Sequence, residues 1–198
     1  MKRLFLLFAL LPMLAMAQDY SEVVQVSNKQ ASELYSSARE WFAKNFKSAN
    51  HVLQMDDPEL GKLIGKGVIP INYNYMTGGG IASIPVVFTF NADFTMTVQV
   101  KDGRYKYEIN DILILHGPEK QPYSEYKKNY EFYKIGMTDE GAKQQIELYG
   151  AKASKMTIRI TKLENQHVVM AIDELEAEIL ATIDSFKNSM VDTSEDDW

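Results

Sequence analysis

The sequence predicts an α+β fold: a single curved antiparallel sheet with two helices on one face. Three observations lead there. From Val86 to Val100 every even position is apolar, while Thr89, Asn91, Asp93, Thr95, Thr97 and Gln99 take the other face, which is the period of a strand with one side buried. Asp102-Gly103 follows directly, a two-residue hairpin signal because a type I′ turn needs positive φ at both central residues. Two further stretches repeat apolar residues at steps of three and four, as helices that cover a sheet do.

The chain begins with a segment outside that fold. Lys2 and Arg3 precede an apolar run from Leu4 to Leu14, and Ala15-Met16-Ala17 offers the small-x-small pattern of signal peptidase. Residues 1–17 are therefore expected to be a signal peptide cleaved after Ala17, leaving Gln18 first and the protein periplasmic or secreted. Removing 17 of 198 residues leaves 181, and loss of the two basic residues takes the net charge from −6 to −8. A lipoprotein needs a cysteine after the cleavage site, where Gln18 stands, so no lipid anchor is expected, nor a later membrane span.

Tyr20 to Val26 reads as a strand. In the helix that follows, Ala31, Leu34, Tyr35, Ala38, Trp41, Phe42 and Phe46 share a face, and Ser27 with Gln30 suggests a capping box. His51 to Met55 is the next strand, Asp57-Pro58-Glu59-Leu60-Gly61 a turn and Lys62 to Met76 the partner strand, with Ile69, Ile71, Tyr73 and Tyr75 alternating against Pro70, Asn72 and Asn74. Gly78-Gly79-Gly80 breaks the chain. The strand from Val86 to Val100 would span roughly 50 Å at about 3.3 Å per residue, so a curl or break is expected at Asn91-Ala92-Asp93. The hairpin turn sets Lys101 against Arg104, Val100 against Tyr105, Val98 against Tyr107 and Met96 against Ile109. A bulge at Asn110-Asp111 would then return Ile112 to the core.

Residues 117–155 read as a variable insertion. Within it Asp139 to Tyr149 forms a short helix with Ala142, Ile146 and Tyr149 inward, ended by Gly150. Met156 to Lys162 is ambiguous: its Thr-Ile-Arg-Ile-Thr run favours a strand, yet it leads into a long helix with Val168, Ile172, Leu175, Ile179, Ile183, Phe186 and Met190 along one seam. The order is thus strand, helix, four strands, helix in one domain over 18–190, with an acidic tail at 191–198.

At this point the chain resembles a known family. Glu33-Leu34-Tyr35, Arg39 to Lys44 and Phe46-Lys47-Ser48-Ala49, the segment Gly61 to Gly67, and Val100-Lys101-Asp102-Gly103-Arg104-Tyr105 look like an uncharacterised family of exported bacterial domains, of unknown function, described as having a TATA-binding-protein-like fold. The resemblance covers residues 20–115 well and the final helix loosely. It implies one half of such a fold and an exported setting, and it brings no activity and no DNA binding.

Composition narrows the chemistry. With no cysteine there is no disulfide, thiolate metal site or cysteine nucleophile. An acidic chain without a basic run does not attract nucleic acid. His51, His116 and His167 lie far apart, none with a second histidine at ligand spacing, and read as surface or capping residues. Gly61-Lys62-Leu63-Ile64-Gly65-Lys66-Gly67 departs from a phosphate loop at both ends, with Leu60 for the first glycine and Gly67 for the hydroxyl residue. It reads as a strand edge that another group approaches closely. Asp56, Asp57 and Glu59 serve a turn, and Asp173, Glu174, Glu176 and Glu178 a solvated helix face. No catalytic, metal or cofactor-binding residue is assigned.

One constellation stands apart. Tyr123, Tyr126, Tyr130 and Tyr133 recur at helical steps beside Phe132. They either cover a free edge of the core or form an exposed patch that stacks on a protein, a glycan or a small apolar ligand. The functional expectation is a non-enzymatic exported binding or structural module of the bacterial envelope. The alternatives are a carrier of a small apolar ligand, held near Phe88, Phe94, Val98 and Ile179, and an enzyme with a scattered site.

Overall fold

A computed structural model describes residues 20–46, 52–77, 84–116 and 119–191. The signal segment, His51, the triple glycine and the acidic tail lie outside the described residues. The strands are β1 (Tyr20–Gln25), β2 (Leu53–Asp57), β3 (Lys62–Thr77), β4 (Ile84–Lys101), β5 (Arg104–His116) and β6 (Glu119–Pro122). The helices are α1 (Ala31–Asn45), α2 (Tyr123–Lys128), α3 (Tyr130–Ile135), α4 (Asp139–Leu148) and α5 (Lys155–Val191). All pairings are antiparallel in one open sheet of order β1-β5-β4-β3-β2, with β6 beside the far end of β5.

The β4–β5 register is the expected one, from Lys101 opposite Arg104 to Met96 opposite Ile109. Asn110 then faces Thr95 and Leu113 faces Asp93, so Asp111 and Ile112 together oppose Phe94. Asp111 takes the extra place at φ +54°, a left-handed conformation that Asp tolerates better than most residues, and Ile112 turns inward. The irregularity thus sits on β5. β4 itself runs without a break at Asn91-Ala92-Asp93, in continuous register with β3 from Gln99 to Ile84.

α1 and the carboxy-terminal half of α5 cover the same sheet face. Phe186 is fully buried, with ring centroids 5.1 Å from Trp41, 5.6 Å from Tyr105 and 6.0 Å from Tyr107. Under α1 the glycines of β3 provide the close approach anticipated from sequence: a Cβ on Gly65 would enter the Phe42 ring, and one on Gly67 would enter Phe94 and Phe46. Gly61 makes its own turn at φ +59°. The hairpin turn also organises the start of α1, since Asp102 Oδ1 accepts the Ala31 N–H at 2.8 Å and Gly103 N–H donates to Lys29 O at 2.9 Å.

Several expectations need correction. The reciprocal cap of α1 is made by Gln30 and Glu33, with Gln30 N–H donating to Glu33 Oε2 at 2.6 Å, and not by Ser27 with Gln30. β2 begins two residues later than its predicted start. Residues 156–162 are helical, the first turns of one 37-residue α5, because the hydrophobic seam continuing from Val169 outweighs the local preference of Thr and Ile for strands. The expected four strands after α1 are joined by β6, and the insertion holds three helices rather than one. Tyr149 points outward at 78% exposure, where Gly150 at φ +73° turns the chain away from α4.

Candidate functional site

Of the four residues named around a carried ligand, Phe94, Val98 and Ile179 are buried, whereas Phe88 is 36% exposed. Space also lies where the amino-terminal half of α5 meets α3 and α4. A cleft of about 430 Å³ opens there between Phe132 and Tyr133 of α3, Ile146 of α4, Ala151, and Ile160, Glu164 and Val168 of α5.

Its floor is polar and buried. Asn165 is 5% exposed and Gln145 7%, and their side chains meet, with Asn165 Nδ2 donating to Gln145 Oε1 at 2.7 Å. The same nitrogen donates to Thr161 O at 2.8 Å and reaches Gly136 O at 3.4 Å, while Gln145 Nε2 donates to Phe132 O at 2.7 Å. Backbone carbonyls only accept, so these contacts decide which end of each amide faces them. A buried amide pair of this kind locks α3, α4 and α5 together, since losing either partner leaves the other unsatisfied. Gly136 is glycine for space: a Cβ there would strike both amides, and one on Gly141 would strike Ile135 O.

Residues 20–114 match the model of a family described as a domain of unknown function (DUF4468) with TBP-like fold. Among solved structures the chain is similar to a DUF4468 family protein from Bacteroides ovatus at 15% identity and TM-score 0.44, over 82% of this chain and 84% of that one. It is similar too to a TBP-like protein from Parabacteroides distasonis at 14% identity and TM-score 0.42, over 85% and 92% respectively. No curated protein matches. Strands β1 to β5 and helix α1 carry the DUF4468 match, and every residue lining the cleft lies beyond it in sequence.

The four tyrosines sit on α2 and α3, at the junction between that DUF4468 sheet and the added helices. Tyr123 is fully buried. The other three are half-buried against the core. Tyr126 donates to Gln121 Oε1 at 2.5 Å and Tyr130 to Asp173 Oδ1 at 2.8 Å, and Tyr133 lines the cleft. They cover the seam between sheet and α5 instead of forming one exposed patch. Asp173 and Glu176, expected on a solvated face, fasten these helices to α5, Glu176 through Lys127 at 3.3 Å.

His167 is a second departure. It is half-buried, its ring 4.4 Å from Phe88, 4.8 Å from Tyr75 and 5.3 Å from Tyr73, and the Tyr73 hydroxyl lies 2.8 Å from Nδ1. Burial pushes the Tyr73 hydroxyl up to about 12, so it stays a neutral phenol beside the imidazole. A smaller cavity of about 180 Å³ lies beneath, bounded by Tyr73, Phe90, Ile114, Tyr126 and Ile172. Of the turn carboxylates, Asp57 acts locally as anticipated, its Oδ1 accepting Leu60 N–H at 2.9 Å, whereas Asp56 reaches α1 and takes the Tyr35 hydroxyl and the Arg39 guanidinium. These bonds hold the Asp56 carboxyl below the usual range against the opposing effect of burial. Among the described residues no group of three or more His, Cys, Asp or Glu side chains is placed to hold a metal ion, and no helix is long and apolar enough to cross a membrane.

Proposed function

We propose that this chain is an exported, non-enzymatic binding module of the bacterial envelope whose ligand site is the cleft between α3, α4 and α5. The observation that carries the reading is the buried Asn165–Gln145 pair in a cavity walled mainly by apolar and aromatic side chains. Its size falls within the roughly 300–1,000 Å³ of small-molecule sites, where a few placed polar groups set orientation inside apolar walls. Carboxamides neither ionise nor attack as nucleophiles at neutral pH, so such a floor holds a ligand without transforming it. The basic, apolar and small-residue segments of residues 1–17 support export.

Two measurements test this. Expressed from the full sequence in a bacterial host, the protein is expected in the periplasmic or culture fraction with an intact mass beginning at Gln18; retention of Met1 in the cytoplasm overturns export. The neutral dye N-phenylnaphthylamine is expected to brighten on binding the purified protein. Ala151→Trp, a change at the exposed mouth of the cleft, should remove that response while leaving the circular dichroism unchanged. A dye response that Ala151→Trp does not touch moves the site elsewhere.

A further inference from the structure

We infer that the cleft selects a donor-bearing ligand, an amine or ammonium group on a small aromatic body, and turns away carboxylates of the same shape. This rests on the cleft being a binding site and adds the chemistry of what it holds.

A partnerless amide oxygen in the floor and the single charge of the lining carry it together. Asn165 Nδ2 has two protons, and both are committed to the oxygens of Gln145, Thr161 and Gly136. Gln145 Oε1 already accepts from Asn165. Among the described residues no donor reaches Asn165 Oδ1, and it is not among the atoms sealed from solvent without a partner. It is an acceptor with no donor from the described residues, on a largely buried side chain that lines the cleft. Leaving such an oxygen unmatched under a bound ligand costs free energy, so the ligand that fits brings an N–H or O–H to it.

Charge narrows the donor. Of the residues lining the cleft, Glu164 alone is charged, and it adjoins Asn165 in sequence at the exposed rim. No lysine, arginine or histidine lines the cavity, and the mature chain carries −8 by sequence. A carboxylate ligand could still take the second proton of Gln145 Nε2 or a Thr161 or Tyr133 hydroxyl, but these neutral donors do not offset the Glu164 charge, whereas an ammonium meets both that charge and the Asn165 oxygen. The walls favour an aromatic body. Phe132 and Tyr133 form an edge-to-face pair with centroids 5.9 Å apart, and the largely exposed Tyr149, with Ile146, Ile160 and Val168, completes the lining. Rings against rings and a cation beside an aromatic edge are both favourable here.

The test uses tryptamine, tryptophol and indolepropionate, which share one ring system and differ in the charge of the terminal group, titrated calorimetrically into the mature protein at low salt. Tryptamine is expected to bind about tenfold more tightly than indolepropionate, with tryptophol between them. Glu164→Gln, an exposed change that leaves the floor intact, should weaken tryptamine about three- to fivefold, bring the amine and acid closer together and leave tryptophol unaffected. Equal binding of the acid and the amine, or an amine preference that Glu164→Gln leaves unchanged, overturns the inference. If none of the three binds while N-phenylnaphthylamine still responds to Ala151→Trp, the inference fails and the cleft remains a binding site. If the dye fails as well, the site reading itself has failed.

Discussion

Phe186→Ala is expected to destabilise the protein by about 3–5 kcal/mol, the range for removing a fully buried phenylalanine from a core that relaxes only in part. Phe186 has no exposed surface and packs edge-on against Trp41, Tyr105 and Tyr107, so it is where α1, α5 and the sheet meet. Trp41 belongs to α1 and the two tyrosines to β5, so a cavity there loosens the contacts of α5 with both elements together. Against a typical total of about 5–15 kcal/mol for a domain, that is a large share. Urea unfolding followed by tryptophan fluorescence should show a lower midpoint with little change in slope. Leu180→Ala, on the same helix but 48% exposed, should stay within about 0.5 kcal/mol. A Phe186→Ala cost under about 1 kcal/mol would mean that α5 does not dock on the sheet as described.

The docking surface of α5 was legible because its seam has an uninterrupted period, and the β4–β5 hairpin because two constraints agree there. Alternation says which side chains face inward, and a two-residue turn says which residues face each other. Together they give the register and locate the bulge opposite Phe94, since Asp111 would otherwise have entered the core. The glycines of β3 were legible as a close approach, but not the rings that approach them, because Phe42 and Phe46 come from another element. The start of α5 was not legible. Thr157, Ile158, Ile160 and Thr161 have strand preferences in isolation, and a reciprocal Ser154–Thr157 cap together with the packing of α5 on α3 and α4 holds them in a helix.

The cleft was hidden for a related reason. Gln145 and Asn165 are ordinary surface residues of helices when viewed singly, and their meaning comes from each other across 20 positions of chain. A signal was present: the apolar seam of α5, followed backward from Ile172 and Val169 in steps of three and four, arrives at Asn165 and Thr161, a polar pair on the face that should be buried. Gly136 and Gly141 in a helical stretch were a second, since small residues there permit the close packing that the amides need. The tyrosines drew attention in their place because aromatic repeats are conspicuous. Their rings turn out to close a seam, with hydroxyls at its rim bonded to Gln121 and Asp173.

Those tyrosines determine how the fold responds to alkali. Tyr73 and Tyr105 are pushed up to about 12 by burial, and Tyr130 to about 12 mainly because its hydroxyl donates to the Asp173 carboxylate. Tyr75, Tyr107 and Tyr126 are raised as well, chiefly by burial. In the unfolded chain tyrosine ionises near 10. A group whose folded value is raised contributes stability that is complete below its unfolded value and disappears as pH rises through the folded one. The sign is therefore the same for all six, and Lys187, raised by its bond to Glu22, acts in the same direction. Glu22 is lowered by the same contact and acts only at the acid end, where its contribution is lost as pH falls through its depressed value. The urea midpoint is expected to hold steady through neutral pH and to fall steeply between pH about 10 and about 12, with phenolate absorbance of the buried tyrosines appearing late and together with unfolding. In Asp173→Asn, Tyr130 loses its charged acceptor and should titrate closer to 10, ahead of that transition. A midpoint unchanged up to pH about 12, with every tyrosine ionising near its free value in the folded protein, would contradict the burial of Tyr73 and Tyr105 on which both the core and the aromatic nest around His167 depend.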